Sequence, residues 1–118
     1  VVCGHYNCGG VKAAMGNSNL GLLDGWLREI RDVYRLHSTT LNAIKDEHER
    51  YNKLIELNVM EQCFNVMKTA FVQKSYAQKK FPQVHGWVYD LANGELIDLN
   101  FDFDSALKKI QEVYDITR

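Results

Sequence analysis

Several features that would quickly narrow the class of this protein are scarce or missing in its sequence. Three cysteines in 118 residues are an odd number and too scattered for a disulfide framework, so we expect free or metal-bound thiols in a reducing compartment. The net charge of -1 provides no basic field for a phosphate backbone. No apolar run reaches the roughly 18 residues that a membrane span needs, and no signal-peptide pattern opens the chain. We therefore expect a cytoplasmic protein with neither nucleic acid nor a membrane as a partner.

What the sequence does contain is ordinary for a folded domain. Hydrophobic residues make up 46% and charged residues 25%, and 118 residues suit one domain. The first residues, Val1 to His5, read as an apolar strand that runs into a glycine turn, without a Met or a polar lead-in. This start predicts that residues 1–118 are the C-terminal portion of a single longer domain whose N-terminal portion is absent.

The first two thirds of the chain predict one short strand followed by helices. The apolar spacing of three and four residues predicts an amphipathic helix over Leu22–Leu36. Thr39 or Thr40 is expected to cap a further helix that runs to about Tyr51. The other predicted elements are a strand over Val1–Cys3, a turn over Gly4–Gly10, a helix over Val11–Met15 and a long helix over Leu54–Lys74.

The last third predicts a hairpin and a final helix. Pro82 ends the helical region, and the strands Val84–Leu91 and Glu95–Phe101 flank the turn signal Asn93-Gly94. The sheet is therefore expected to end in an antiparallel hairpin. A last helix is expected to begin at Ser105, with Leu107, Ile110, Val113 and Tyr114 on one face.

His5 and Cys8 are the residues most suggestive of chemistry. They lie three positions apart on a glycine-rich turn after a strand, and Zn2+ binds both imidazole nitrogen and thiolate sulfur. Gly9 and Gly10 could also present backbone N–H groups to an anion. The spacing alone leaves two interpretations open, because a histidine and a cysteine this close together are a weak motif. One is a metal site; the other is a glycine turn for close strand–helix packing, with His5 hydrogen-bonded to backbone.

The remaining cysteines and histidines have plainer interpretations. Cys3, two residues before His5, is a minor candidate for a further metal ligand. Cys63 falls on the apolar stripe of the long predicted helix, so we expect it in the core. His37 and His48 lie in polar helical segments and are expected to be solvated.

Residues 2–14, VCGHYNCGGVKAA, resemble the second zinc motif of the β-carbonic anhydrases, in which the histidine and the cysteine bind zinc. The likeness continues, in the order of the family, through GLLDGWLREIR (21–31), ELNVMEQ (56–62), HGWVY (85–89) and NGELIDL (93–99). The resemblance implies an α/β fold with a parallel sheet core, extended by a C-terminal antiparallel hairpin and flanked by helices. It also implies the reversible hydration of CO2 to bicarbonate, with Zn2+ as the cofactor.

The resemblance assigns roles residue by residue. It implies that His5 and Cys8 are zinc ligands and that the N–H of Gly9 helps to hold bicarbonate. Tyr89 matches a tyrosine of a regulatory bicarbonate pocket found in some members, although an aromatic residue packing beside Trp87 is the simpler interpretation. The resemblance further implies a homodimer or homotetramer, with the helix from Trp26 to Tyr34 as a candidate for subunit contacts.

One part of the family pattern is missing from these residues. The first motif of the family, Cys-x-Asp-x-Arg, supplies a second thiolate ligand and an Asp–Arg pair, and this sequence does not contain it. No catalytic residue of that kind is therefore expected in this chain. The leading interpretation is that this chain is part of an active enzyme, and two alternatives stay open. One is a catalytically incomplete zinc-binding or assembly fragment of the same fold, and the other is a structural domain that binds no metal.

Overall fold

A computed structural model describes residues 1–117 as an α/β fold, as the sequence predicts. None of the helices in this range is long and apolar enough to cross a membrane. In chain order the elements are β1 (Val2–His5), α1 (Gly9–Ala14), α2 (Leu23–Leu36), α3 (Ser38–Asn42), α4 (Glu47–Met67), α5 (Ala70–Lys79), β2 (Gly86–Asp90), β3 (Glu95–Asp98) and α6 (Phe103–Val113).

The three strands form one mixed sheet in the order β1-β2-β3. β1 runs parallel to β2, with His5 opposite Tyr89, and β2 runs antiparallel to β3. The predicted hairpin is confirmed, and Gly94 closes it in the left-handed conformation (φ 74°) with its N–H donating to Asp90 O at 2.8 Å. β3 is shorter than predicted because Asn100 (φ 54°) turns the chain away from the sheet.

α4 lies directly on the sheet, and two glycines make this possible. A methyl group added at Gly4 would lie 2.8 Å from Val59 Cγ2, and one added at Gly86 would lie 3.1 Å from Cys63 Sγ. We call these four residues the packed patch. Such close approach of backbone and side chain is what glycine allows in a strand interior. The packed patch fixes α4 against β1 and β2, just before the end of β1.

The single helix predicted from Thr39 or Thr40 to about Tyr51 is wrong, because two helices with a break between them occupy this range. α3 stops at Asn42, and α4 begins only at Glu47. Asp46 is the N-cap of α4, because its Oδ2 accepts from the backbone N–H of Glu49 at 2.9 Å. The chain between these helices therefore bends at 43–46.

The single long helix predicted over Leu54–Lys74 is also wrong, since α4 and α5 are separate. Thr69 has an extended backbone (ψ 141°), and its hydroxyl donates to Val66 O at 2.7 Å, which ends the helical ladder there. Phe71, an apolar residue within the range of the predicted helix, is 74% exposed.

The first long helix and the last helix bury narrower faces than their spacing predicts. The bounds of α2 agree with the prediction, but only Leu27, Ile30 and Val33 are buried, and Trp26 is 63% exposed. α6 begins two residues before Ser105, which donates its backbone N–H to the cap residue Asp102. The buried residues of α6 are Phe103, Ala106 and Ile110, while Val113 is 91% exposed.

Candidate metal-binding site

His5 is the last residue of β1, two positions beyond the predicted end of that strand. Pairing with β2 even extends one residue further, because Tyr6 N donates to Tyr89 O at 3.2 Å. The strand continues through Gly4 because a glycine fits beneath Val59, where a larger residue would collide. His5 is therefore carried by the sheet, on a more rigid support than the predicted turn.

Cys8 stands at the N-cap of α1, which begins at Gly9 and not at the predicted Val11. Asn7, which lies between His5 and Cys8, adopts the left-handed conformation (φ 57°) and so reverses the chain. Asparagine tolerates this conformation better than most residues. Residues 5–8 are called the ligand turn below. Cys8 makes no side-chain cap hydrogen bond. Its thiol is therefore not engaged in holding the helix.

One hydrogen bond fixes which ring nitrogen of His5 is available. His5 Nδ1 lies 2.9 Å from the backbone oxygen of Tyr6. A carbonyl oxygen only accepts, so Nδ1 carries the proton and donates, and the neutral ring keeps its lone pair on Nε2. Histidines that bind metals usually donate their other ring N–H in this way. The same contact also suits the glycine-turn interpretation, in which His5 bonds to backbone.

His5 and Cys8 line the same cavity, of about 380 Å³. Cys8 is partly buried and its sulfur has no hydrogen-bond partner within residues 1–117. A neutral imidazole nitrogen and a free thiol at one cavity are a donor set that suits Zn2+. The chain thus fits zinc with two ligands, but residues 1–117 contain no group of three His, Cys, Asp or Glu side chains that could hold a metal.

The other cysteines differ sharply in their surroundings. Cys3 also lines the cavity, but it is exposed, and its thiol donates weakly to Gly4 O at 3.4 Å. Cys63 is fully buried in the packed patch, as predicted, and burial raises the pKa of its thiol to about 11. A thiol with so high a pKa stays protonated at neutral pH and is inert.

His37 and His48, which were both predicted to be solvated, have different surroundings. His48 is exposed, as expected. His37 is not simply solvated, because its Nε2 lies 3.1 Å from Glu61 Oε1 in a partly buried hydrogen bond that links the end of α2 to α4. Spacing along α2 could not reveal this partner, which lies 24 residues further along the chain.

Tyr89 lies on the same face of β2 as Trp87, two residues apart, and its side chain is exposed. Its hydroxyl reaches toward the hairpin loop, 3.7 Å from where a Cβ on Gly94 would be. Tyr89 is not among the residues that line the cavity of His5 and Cys8. Both interpretations of Tyr89 therefore remain predictions.

Sequence reasoning missed a link between the ligand turn and α4. The hydroxyl of Tyr6 donates to Glu56 Oε1 at 3.3 Å in a partly buried setting. Burial first, and then the negative charge of Glu56, raise the pKa of Tyr6, so the phenol keeps its proton and remains a donor. The spacing of polar residues on α4 was the only available signal, and it does not name a partner 50 residues away.

A second cavity, of about 450 Å³, is also lined by Cys8. The polar and charged residues in its lining include Lys12 from α1 with Asp46, His48 and Tyr51 at the start of α4. Burial and Glu47 raise the pKa of Tyr51. Cys8 is the residue that the two cavities share, together with Ile55.

The family model described as carbonic anhydrase matches residues 1–96 of this chain. The chain is 58% identical over 118 residues to a carbonic anhydrase of Emericella nidulans, an alignment that covers 100% of this chain and 52% of the relative. It is 31% identical over 99 residues to a carbonic anhydrase of Pseudomonas aeruginosa, covering 81% of this chain and 44% of the relative.

Solved structures agree with these relatives. The β-carbonic anhydrase CafA of Aspergillus fumigatus superposes with a TM-score of 0.83 at 35% identity, over 96% of this chain and 54% of that one. Tetrameric β-carbonic anhydrases of Sordaria macrospora give a TM-score of 0.75 at 31% identity, over 83% of this chain and 50% of that one. The chain thus spans about half the length of the relatives it matches.

Proposed function

This chain belongs to the β-carbonic anhydrase family, and on that premise we propose that it takes part in the zinc-dependent, reversible hydration of CO2 to bicarbonate and a proton. The observation that carries the proposal is the joint exposure of His5 and Cys8 to one cavity, with the Nδ1–H of His5 already donated to Tyr6 O. Because the chain spans about half of its relatives, the proposal concerns the longest natural form of the protein that contains it.

His5 Nε2 and Cys8 Sγ are the proposed zinc donors. Zinc held by these two residues would act as a Lewis acid and would make a nucleophile for CO2 available at neutral pH. Catalytic zinc sites use three protein ligands and leave one position open. Two donors alone should hold the metal weakly, and the family resemblance points to the Cys-x-Asp-x-Arg motif for the remaining ligand.

The wall of the cavity suits a small apolar substrate. Carbon dioxide has no net dipole and is drawn to apolar surface, whereas bicarbonate needs a hydrogen-bond donor. The apolar residues that line the cavity of His5 and Cys8 are Val11, Trp26, Ile30, Ile55 and Val59.

Gly9 is the proposed donor for bicarbonate. It is the first residue of α1, so its N–H has no acceptor within the helix. Gly9 is exposed, and no atom from a more distant part of the chain lies within 4 Å of where its Cβ would be.

The proposal is tested by measuring CO2 hydration with a stopped-flow pH indicator on the zinc-loaded protein, in the longest natural form that contains residues 1–118. Cys8→Ala is expected to lower kcat/KM at least a hundredfold. Cys3→Ala is the matched control, since Cys3 lines the same cavity without a proposed role, and it should keep wild-type activity. Wild-type activity in Cys8→Ala, or none in the unmodified protein, would overturn the proposal.

A second candidate function is a catalytically incomplete zinc-binding or assembly fragment of the same fold. It is favoured by the absence, within residues 1–117, of any group of three His, Cys, Asp or Glu side chains that could hold a metal ion. A form of the protein that binds zinc but hydrates no CO2 would support this alternative.

We also propose a homodimer or homotetramer, since structural relatives are tetrameric. The exposed apolar residues Leu22, Leu23 and Trp26 at the start of α2 are the proposed contact. Trp26→Ser should shift the sedimentation coefficient toward that of the monomer, while Val113→Ser, at a more exposed site on α6, should not.

A further inference from the structure

We infer that Tyr6 and Glu56 act as a positioning pair for His5, holding the ligand turn against α4 and thereby strengthening metal binding at the candidate site. The inference rests on the proposed zinc function. Tyr6 and Glu56 are not proposed to contact the metal or the substrate. Their proposed effect is exerted through the backbone oxygen of Tyr6, which accepts from His5 Nδ1 at 2.9 Å.

Tyr6 forms three hydrogen bonds, and its three partners lie in different parts of the fold. Its backbone N–H donates to Tyr89 O on β2 at 3.2 Å. Its hydroxyl donates to Glu56 Oε1 on α4 at 3.3 Å, and its backbone oxygen holds the ring of His5. A residue fixed at both its backbone and its side chain has little freedom to rotate its peptide group. The acceptor for His5 is therefore held in place.

The sheet holds the start of the ligand turn, at His5 and the backbone of Tyr6, so the side that faces α4 is the part that needs such support. Asn7, the residue after Tyr6, is exposed and in the left-handed conformation. Cys8 forms no side-chain hydrogen bond within residues 1–117. In the described part of the chain, the bond from Tyr6 to Glu56 is the one side-chain hydrogen bond that joins this turn to another element. Loss of that bond frees the turn on the side that faces α4.

The chemistry of the pair suits a permanent contact. An ionised carboxylate only accepts, and a hydrogen bond to a charged acceptor is stronger than one between neutral groups. The Tyr6 hydroxyl lies 3.3 Å from Glu56 Oε1 in a partly buried setting, which places the two groups for such a bond.

A matched control exists elsewhere in the chain. Tyr76 on α5 donates through its hydroxyl to Asp104 Oδ1 on α6 at 3.4 Å, which is the same chemistry at nearly the same distance. Neither residue lines the cavity of His5 and Cys8. If the bond from Tyr6 to Glu56 only stabilises the fold, removing the hydroxyl of Tyr6 should affect metal binding no more than removing the hydroxyl of Tyr76.

The test measures zinc affinity by competition with a chelator, in the longest natural form of the protein, for Tyr6→Phe, Glu56→Gln and Tyr76→Phe. Removal of partners that orient a metal-binding histidine typically weakens binding about 10- to 100-fold. We expect about tenfold weaker binding in Tyr6→Phe. Glu56→Gln should keep most of the affinity, because an amide oxygen still accepts from the phenol. Tyr76→Phe should match the wild type.

A spectroscopic readout separates positioning from general stability. In the metal-free protein, 15N NMR of the His5 ring should show the proton on Nδ1, and Tyr6→Phe should raise the share of the other tautomer. The Co2+-substituted protein should show a thiolate charge-transfer band that weakens or shifts in Tyr6→Phe alone. The NMR measurement on the unmodified protein still tests the inference if a variant fails to fold, since an Nε2–H tautomer there would overturn it.

The outcomes distinguish this inference from the proposed function. Wild-type zinc affinity and tautomer balance in Tyr6→Phe would overturn the positioning role and leave the zinc proposal standing. An equal loss of affinity in Tyr76→Phe would do the same. An unmodified protein that binds no zinc would overturn both.

Discussion

The packed patch and the ligand turn are neighbours in the fold, yet they are built in opposite ways. In the packed patch, glycines on two strands meet α4 so closely that an added methyl group would lie 2.8 Å from Val59 at Gly4 and 3.1 Å from Cys63 at Gly86. One residue beyond Gly4 the ligand turn begins, and Cys8 within it lines two cavities. The difference shows how a crowded contact can fix the end of a strand while leaving the donors that follow it accessible.

The thiols give the strongest contrast between the two regions. Burial raises the pKa of Cys63 from about 9 to about 11, whereas Cys3 is exposed. Between about pH 9 and pH 11, the Cys63 thiol is deprotonated in the unfolded chain but still protonated in the folded one. The free energy of unfolding therefore falls as the pH rises through this range, by up to about 3 kcal/mol. Below about pH 9 this contribution is fully present.

Urea unfolding from pH 8 to 11 measures this effect. With rising pH, the free energy of unfolding should fall less steeply in Cys63→Ala than in the unmodified chain. Cys3→Ala should show the same dependence on pH as the unmodified chain. Equal slopes for the unmodified chain and Cys63→Ala would show that Cys63 is not buried as described.

The glycines provide the second contrast. Gly4→Ala forces a methyl group to within 2.8 Å of the buried Val59, so we expect a loss of about 1 to 3 kcal/mol in the free energy of unfolding. Gly9→Ala, with open space around its Cβ and a helical position, should be neutral or stabilising by up to about 1 kcal/mol. Urea denaturation of both variants checks the pair, and similar losses in the two would contradict the contrast.

The helix caps provide the smallest contrast. Asp46 caps α4 with a hydrogen bond at 2.9 Å, and Asp46→Ala should cost about 1 kcal/mol while Asp46→Asn costs less. Cys8 occupies the same position on α1 without such a bond. Cys8→Ala in the metal-free protein should therefore cost less than Asp46→Ala in a thermal or urea melt. A larger cost for Cys8→Ala would mean that the thiol supports the fold itself.

Elements with strong local signals could be predicted from the sequence. Asn93-Gly94 marked the hairpin, and the spacing along Leu23–Leu36 marked α2, because turn chemistry and helical periodicity act over a few residues. The start of α4 was missed, since the hydroxyls of Thr39 and Thr40 are as suitable for capping as the carboxylate of Asp46. The choice among them depends on packing.

The exposed surfaces and the support of the site could not be predicted in this way. Phe71 and Val113 have core-like spacing but no neighbour to bury them within residues 1–117. The resemblance to a known family named His5 and Cys8. It did not reveal that His5 donates to Tyr6 O, or that Tyr6 reaches Glu56, because those contacts depend on how α4 packs against the end of β1.

The central claim is that His5 and Cys8 bind one zinc ion together, and the zinc content of the purified protein tests it most directly. In the longest natural form that contains this chain, we predict about one zinc per subunit for the unmodified protein and for Cys3→Ala. His5→Ala and Cys8→Ala should each lose nearly all of it. Undiminished zinc in either of these two variants would contradict the account.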